Sequence, residues 1–144
     1  MRILALFLVF SVLIFATTFT DGKRGKELDI SSLDIQFDKT DATFTVNYNF
    51  DMISKTYFLI FGGKTIEEKI RPVFPNFDYE IMKIDQDKAI LRVKNISRLE
   101  KDYYLHNSQR LGETIGTVYI SERSSTRIRE YHNINSTPDY FYHK

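Results

Sequence analysis

The sequence predicts an α+β domain, an antiparallel β-sheet with a small helical layer after its second strand. The first observation is the stretch Ala42–Phe50, in which large apolar or aromatic side chains alternate with short polar ones. Such alternation is typical of a half-buried strand, and it recurs in the neighbouring stretches. The second observation is a break in this pattern over residues 51–74, where helix-boundary residues occur. A β-sandwich with a helical insertion is the alternative.

Residues 1–20 are predicted to be an export segment that lies outside this domain. Met1–Arg2 precedes an apolar run from Ile3 to Ala16, and small residues follow it. This order is typical of a cleavable signal peptide. An uncleaved membrane anchor over residues 3–19 is the alternative, because that length lies at the short edge of what can span a bilayer. A buried core helix is a third interpretation, although such a helix usually has a polar face.

Charge and composition limit the classes of partner. Removing residues 1–18 takes out Arg2 and no acidic residue, so the formal net charge changes from +1 to zero. Binding to a phosphate backbone depends on clustered basic residues, whereas here acids and bases are interleaved, so we expect no nucleic-acid partner. The chain has no cysteine, so an exported domain must be stabilised by its core, for which the aromatic content of 15% supplies large side chains.

The first half of the domain is predicted to begin with a hairpin. Residues 21–32 are polar and glycine-containing, so we expect a flexible spacer there and a single domain over residues 33–144. The first strand contains Leu33, Ile35 and Phe37 on one face. A turn at Asp38–Asp41 then joins it to the central strand.

The segment that follows contains the predicted helices. Residues 51–61 fit a helix that ends at Gly62-Gly63, although the aromatic and β-branched run Tyr57–Phe61 also fits a buried strand. Thr65 with Glu68 three residues later predicts a capping box at the start of a second helix. Pro72 requires that helix to end near residue 70 or 71.

The second half of the domain is predicted to be mainly strands. A second hairpin is expected over Phe77–Lys94 and a third over residues 117–131. In the first strand of the second hairpin, alternation places Ile81 on one face and Met82 and Ile84 on the other. Tyr103–His106 is a candidate for a short strand, and Asn107–Gly116, with its two glycines, is expected to be a loop. Tyr140–Tyr142 near the end of the chain is too aromatic to be left in water, so we expect it to pack on the body of the domain.

No motif predicts a catalytic, metal or cofactor site. Gly62–Thr65 resembles the end of a phosphate-binding loop, but Phe58 stands where that motif needs a glycine. His106, His132 and His143 have no metal-ligand spacing, and we expect them at the surface.

Paired acidic residues are explained better by turns than by calcium. Asp38 with Asp41, and Asp85 with Asp87, lie between predicted strands. Neither pair belongs to a twelve-residue calcium loop that ends in glutamate, whereas aspartate side chains commonly accept hydrogen bonds from turn amides.

The terminal hairpin carries the candidate binding surface. If its core face holds Val118, Ile120 and Ile128, four other residues share an exposed face: Tyr119, Arg127, Arg129 and Tyr131. Tyrosine and arginine are enriched at interface hot spots, so this face is a candidate for contact with a protein partner. The alternative is a solvated ladder in which guanidinium groups lie over tyrosine rings.

Two N-glycosylation sequons, at Asn95 and Asn135, have meaning only if the chain is exported. Pro138 directly follows the second sequon, so Asn135 is the weaker candidate acceptor.

Three stretches, Y-L-H-N-S-Q-R-L-G (104–112), S-T-P-D-Y-F-Y (136–142) and F-G-G-K-T-I-E-E (61–68), resemble small exported proteins of methanogenic archaea whose function is unknown. The resemblance implies an envelope location and no catalytic or binding residue. We therefore expect a non-enzymatic extracytoplasmic domain, secreted or membrane-tethered, that acts through protein or cell-surface contacts. The alternative is a hydrolase of unrecognised type that uses His106 or paired carboxylates.

Overall fold

The computed structural model describes residues 28–49, 55–56, 59–60 and 62–144. One helix, α1, has both of its ends within these residues, at Lys64–Ile70. The described strands are β1 (Asp29–Asp38), β2 (Asp41–Asn49), β3 (Tyr79–Ile84), β4 (Lys88–Val93), β5 (Arg98–Leu99), β6 (Tyr103–His106), β7 (Arg110–Glu122), β8 (Ile128–Ser136) and β9 (Tyr140–His143). A six-stranded sheet has the order β3-β4-β2-β1-β7-β8, and a three-stranded sheet has the order β5-β6-β9. The described part of the chain is therefore rich in β-structure, with a small helical component.

The predicted first hairpin and the central strand are confirmed. Strands β1 and β2 are antiparallel, with Ile35 opposite Phe44 and Leu33 opposite Val46. All four of these side chains are at most 1% exposed. The alternation in the sequence therefore identified the buried face of the sheet correctly. Strand β1 begins at Asp29, so residues 29–32, which we expected in the spacer, belong to the sheet.

The larger sheet is mixed, which corrects the prediction of a purely antiparallel one. Strand β1 pairs with β7 in parallel, with Leu33 opposite Val118 and Ile35 opposite Ile120. Alternation reports which side chains share a face, but it carries no information on which strands are neighbours or in which direction they run. Long connections, which include β3 to β6, separate β1 from β7 in the chain.

The core lies on one face of the larger sheet and is covered by two different elements. Phe44 on β2 contacts Phe74 and Phe77, with ring centroids 5.6 and 5.5 Å away. Ile66 and Ile70 of α1 are buried in the same apolar cluster. The inward side chains of β6 and β9 cover the β1 side of this face, and they are Tyr104, His106, Tyr140 and Tyr142. The expectation that the Tyr140–Tyr142 tail packs back on the body is confirmed.

The predicted second hairpin is confirmed, but its faces differ from the expectation. Strands β3 and β4 pair with an irregularity between Ile81 and Lys83. The irregularity shifts the alternation by one residue, so Ile84 joins Ile81 against the core and Met82 is 61% exposed. The sequence pattern had placed Met82 and Ile84 together on the face opposite Ile81, because a β-bulge leaves no mark in a simple alternation.

Helix α1 occupies the predicted place, but the predicted capping box is wrong. The N-cap residue is Gly63, with no side-chain cap, and Thr65 already lies inside the first turn. The amides of Ile66 and Glu67 donate to the Gly63 carbonyl at 3.0 and 3.1 Å. Of the helix predicted over residues 51–61, the structure describes Lys55–Thr56 and Leu59–Ile60, which are helical. The other residues of that stretch, Phe50 and the predicted export segment at 1–20 lie outside the described residues.

Strand β7 begins at Arg110, so the loop predicted at Asn107–Gly116 is wrong. The glycines that suggested a loop have other roles in the strand. The amide of Gly112 donates to the Val73 carbonyl at 2.8 Å, and a Cβ atom at Gly112 would lie 1.7 Å from the Pro72 carbonyl oxygen. Gly112 is therefore the point at which the β7 backbone touches the segment after α1, an approach that only glycine permits.

We expect Gly112→Ala to lower the free energy of unfolding by about 2–3 kcal/mol, because the added methyl group must displace backbone atoms. Gly116→Ala is the matched control, since a Cβ atom at Gly116 meets nothing within 4 Å. It should stay within about 0.5 kcal/mol of the wild type. Urea titrations followed by circular dichroism measure both. Equal stability of the two variants would contradict the close approach at Gly112.

Candidate functional site

The two sheets meet at an aromatic cluster centred on Phe37, which is 1% exposed. The centroid of its ring lies 5.0 Å from that of His106, 5.3 Å from that of Tyr140 and 5.1 Å from that of Tyr142. Each aromatic pair of this kind contributes about 0.5–1.5 kcal/mol beyond the area that it buries. These four residues, here called the interlayer cluster, hold the smaller sheet against β1.

His106 is the fully buried polar member of the interlayer cluster. Its Nδ1 atom lies 2.9 Å from the Ile96 carbonyl oxygen, so Nδ1 carries the proton and donates. Its Nε2 atom lies 2.8 Å from Thr137 Oγ1 and accepts the proton of that hydroxyl group. The Thr137 oxygen in turn accepts from the Gln109 amide at 2.9 Å. Both ring nitrogens therefore have structural partners, as a buried imidazole requires.

Burial lowers the pKa of His106 below its ordinary value of 6.5, because desolvation penalises the charged imidazolium. The bond to Ile96 and the charge of Asp139 act in the opposite direction and are smaller. The prediction that all three histidines lie at the surface is wrong for His106. His132 and His143 are exposed, as predicted.

A shallow cleft of about 460 Å³ opens at the turn between β1 and β2. Phe37, Tyr104 and Tyr142 form its floor, and the two tyrosine rings stack with centroids 5.5 Å apart. Its walls are polar side chains from the turn, the end of β7 and the end of β9, namely Asp38, Lys39, Glu122, Arg123, Ser124, His143 and Lys144. These ten residues are called the hairpin cleft below.

Backbone contacts fix the walls of the hairpin cleft relative to one another. Lys39 has a φ of 56°, as the first central residue of a tight hairpin turn often requires. Its carbonyl oxygen accepts the proton of the Tyr142 hydroxyl group. On the other side, the Arg123 amide donates to the Phe37 carbonyl at 2.9 Å. The turn, β7 and β9 are thereby connected around the cleft.

Ion pairs and hydroxyl groups give the hairpin cleft its polar character. Arg123 Nη1 lies 2.7 Å from Asp38 Oδ2. Glu122 Oε2 is enclosed and has no hydrogen-bond donor among the described residues. Burial raises the pKa of Tyr142 to about 12, so its hydroxyl group keeps its proton at neutral pH. The cleft therefore presents charges of both signs next to an aromatic floor.

A second groove, of about 750 Å³, runs between α1 and strand β3 at the edge of the larger sheet. Aromatic residues line it, including Phe74, Phe77 and Tyr79. Burial raises the pKa of Tyr79. The ion pair between Arg71 and Glu67, at 3.5 Å, lies at the helix side of this groove.

The structure separates the four residues that were predicted to form one binding face. Tyr119 lies on the open face of the larger sheet, opposite Glu130. Arg129 and Tyr131 lie on the other face, because the residues opposite them on β7 belong to the core. Arg127 is exposed and precedes β8. The prediction of a shared face is therefore wrong.

The error comes from which residues of β8 were expected to face the core. The prediction turned Ile128 toward the core, whereas Ile128 lies opposite Ser121 and is 67% exposed. A shift of one residue moves every side chain of a strand to the other face. Val118 and Ile120 on β7 are fully buried, as predicted.

Arg129 agrees in part with the alternative of guanidinium groups over tyrosine rings. Its guanidinium carbon lies 5.1 Å from the centroid of the Tyr140 ring. That ring belongs to the smaller sheet, so the contact joins the two sheets rather than neighbouring side chains of one hairpin. Such a contact is worth about 0.5–1 kcal/mol at an exposed site.

The two sequon asparagines, Asn95 and Asn135, are both exposed. Asn95 lies in a turn with a φ of 50°. The threonine of the second sequon, Thr137, is fully buried and bonded to His106. Its presence is therefore explained by the packing of the two sheets.

The acidic pairs behave as turn residues. Asp41 Oδ1 accepts from the Asn95 amide at 3.2 Å, which lowers the pKa of Asp41, and its other oxygen pairs with Arg92 at 3.0 Å. Asp85 pairs with Lys83 at 2.7 Å. Within the part of the chain that the structure describes, no group of three or more His, Cys, Asp or Glu side chains is placed to hold a metal ion. No helix among these residues is long and apolar enough to cross a membrane.

Comparison with known proteins gives no function for this chain. No family model, curated protein or solved structure matches it. The function proposed below therefore rests on the chain's own residues.

Sequence reasoning missed the residues that form the hairpin cleft. Glu122 and Arg123 lie within the predicted third hairpin, and nothing in the sequence indicates that Glu122 lies opposite Phe37 or that the Arg123 amide donates to the Phe37 carbonyl. The sequence did contain a signal that His106 is buried. Tyr104 and His106 are two residues apart in a short strand, so their side chains lie on the same face.

We expect the free energy of unfolding to fall as the pH is lowered from about 7.5 to about 5. Because the pKa of His106 is lower in the folded state, the unfolded chain binds more protons once the pH falls below 6.5. The contribution of His106 is complete above that pH and is lost as the pH falls toward its folded pKa. Thermal unfolding at a series of pH values measures the effect.

His106→Gln should unfold at a lower temperature at every pH and lose the His106 part of this pH dependence, because glutamine does not titrate. His143→Gln, at an exposed position outside β8, is the control and should keep the pH dependence. A pH dependence that is unchanged in His106→Gln would contradict the assignment of His106 as a buried neutral imidazole. Asp41, whose pKa is lowered, contributes only in a more acidic range.

Proposed function

We propose that this chain is a non-enzymatic extracytoplasmic domain, secreted or membrane-tethered, that acts by protein or cell-surface contacts. The signal-like residues 1–20 support the location. The absence of cysteine is compatible with it, because the large aromatic core provides stability without disulfides.

The proposal rests on one observation: the side chains with shifted pKa values make hydrogen bonds to other parts of the fold. In an enzyme such groups usually converge in a pocket and face the substrate. Here His106 is bonded to Ile96 and Thr137, and the Tyr142 hydroxyl group donates to the Lys39 carbonyl. These groups hold secondary structure elements together, so their altered acidity has a structural cause.

Tyr48 likewise combines a shifted pKa with a structural hydrogen bond. Burial raises its pKa above the ordinary value, and its hydroxyl group donates to the Asp85 carbonyl at 2.7 Å. The bond joins β2 to the turn between β3 and β4. A hydrolase that uses His106 as a base gains no support, because both ring nitrogens are already engaged in the core.

The hairpin cleft is the surface that we assign to partner contact. It combines an aromatic floor with ionic walls, a composition that is common where a protein surface meets a polar partner. Arg123 is the arginine among the ten cleft residues, and its side chain is 73% exposed. Arginine is enriched at interface hot spots because it offers several donors and a broad contact area.

Two arginines that flank the same hairpin give a matched test. Arg123 pairs with Asp38 at 2.7 Å and lines the cleft, whereas Arg92 pairs with Asp41 at 3.0 Å and does not line it. Exposed pairs of this kind contribute at most about 1 kcal/mol, so Arg123→Glu and Arg92→Glu should both remain folded. Affinity-tagged full-length chains are recovered from the native cell after chemical cross-linking and analysed by mass spectrometry.

We expect the wild type and Arg92→Glu to recover the same cross-linked partner and Arg123→Glu to lose most of it. The N-terminal peptide in the same samples reports processing, and protease added to intact cells reports location. Equal recovery by both variants would contradict the cleft as the contact surface. Protection of the chain inside intact cells would contradict the extracytoplasmic location.

A further inference from the structure

The larger sheet ends in two edge strands, β3 and β8, and they differ in how well they are protected. Strand β3 carries an irregularity between Ile81 and Lys83, and ion pairs with Lys83 and Glu80 lie along it. A bulge of this kind keeps an edge from pairing with another chain. Strand β8 pairs with β7 without irregularity from Ile128 to His132. Within the described residues, no strand pairs with its outer edge.

Several features of β8 are those of a contact strand. It is nine residues long and contains no proline. Ile128 is 67% exposed, and Tyr131 lies half-buried at the margin of the core. An open strand edge that carries an exposed isoleucine and a tyrosine can pair with a second extended strand.

We propose that β8 pairs antiparallel with β8 of a second copy of this chain, so that two larger sheets join into one. A symmetric pair of this type has a two-fold axis through one residue, which lies opposite its own copy. Opposite residues in an antiparallel pair share a face, so the axis must pass through a single residue rather than between two. Only a few registers are therefore possible along Ile128 to His132.

Charge complementarity selects one of these registers. An axis at Arg129 or Glu130 would place two like charges directly opposite each other, and an axis at Ile128 would place Arg127 opposite Arg129. An axis at His132 would place the two imidazoles opposite each other and Glu130 opposite Ile134, which offers no complementary group. An axis at Tyr131 places Glu130 of each copy opposite His132 of the other. This register gives two complementary carboxylate–imidazole contacts and a central tyrosine pair.

A contact within one chain already favours this arrangement. Glu130 Oε1 already lies 3.4 Å from His132 Nε2 on the same face of β8. In the proposed dimer each carboxylate would have an imidazole beside it on its own strand and another opposite it, so four groups would form one closed polar cluster. Asn133 has a φ of 53°, and β8 continues to pair with β7 beyond it at Ile134. In this register Ile128 of each copy lies opposite Ile134 of the other. A short ladder of this kind predicts an association that depends on concentration.

The proposal does not depend on the proposed function, because the hairpin cleft contains no residue of β8. It adds a consequence for any partner that the cleft contacts. A dimer would present two copies of the cleft, and two linked sites bind a multivalent surface more tightly than one.

A natural chain without cysteine allows a direct test by disulfide cross-linking. Full-length Tyr131→Cys, Glu130→Cys and Arg129→Cys chains are expressed separately, oxidised under mild conditions in the fraction where the wild type is found, and run on non-reducing gels. Tyr131→Cys should form a covalent dimer, because the two Cα atoms across the axis lie within disulfide reach. Glu130→Cys should form one only when it is mixed with His132→Cys. Tyr119→Cys, on the neighbouring internal strand, is the control for random collision.

A dimer of Glu130→Cys or Arg129→Cys alone, or no dimer of Tyr131→Cys above the Tyr119→Cys control, would overturn the proposal. A second test leaves Tyr131 in place and uses light scattering at several concentrations. Glu130→Lys should shift the wild-type dimer toward monomer, and Glu130→Lys with His132→Glu should restore it, because opposite charges then face each other across the axis. A wild type that stays monomeric at every concentration, or a double variant no more dimeric than Glu130→Lys, would also overturn it.

Discussion

The burial of Phe37 between the two sheets is the contact on which the rest of the structure depends. Its ring meets His106 from β6 and Tyr140 and Tyr142 from β9, so a single side chain of β1 is covered by two strands of the smaller sheet. Strand β5 has two residues and β6 and β9 have four each, so the smaller sheet is short and buries its inward side chains against β1. In a chain without cysteine, aromatic packing and the buried His106 bonds must hold it in place.

The same contact sets the position of the candidate site. Phe37 is the last inward residue of β1 before the turn, so the walls of the hairpin cleft begin where the interlayer cluster ends. Tyr142 belongs to both, since its ring packs on Phe37 and its hydroxyl group donates to the Lys39 carbonyl. A surface for partner contact is thereby built on rigid strands, which favours recognition with little loss of conformational entropy on binding. Strand β8, by contrast, contributes no residue to the cleft, and its outer edge is the one that we propose for self-association.

The sequence predicted the inward faces of the central strands because those strands have an unbroken period of two. Phe44 and Val46 are fully buried, as are Val118 and Ile120. Prediction failed where the alternation is interrupted, at the irregularity after Ile81, or where a single apolar residue had to set the phase, as at Ile128. It also could not give the parallel pairing of β1 with β7 or the hairpin cleft, because both depend on contacts between residues more than 80 positions apart. A glycine in a strand and a glycine in a loop look the same in a sequence, so Gly112 was misplaced.

Native-state hydrogen exchange tests the dependence on the interlayer cluster most directly. If Phe37 and His106 join the two sheets into one cooperative unit, the slowest amides of β6 and β9 should exchange with the same free energy as those of β1 and β2, and both sets should respond equally to added denaturant. Exchange of the β6 and β9 amides through an opening of lower free energy, while β1 and β2 stay protected, would show that the smaller sheet separates on its own. That result would contradict the account.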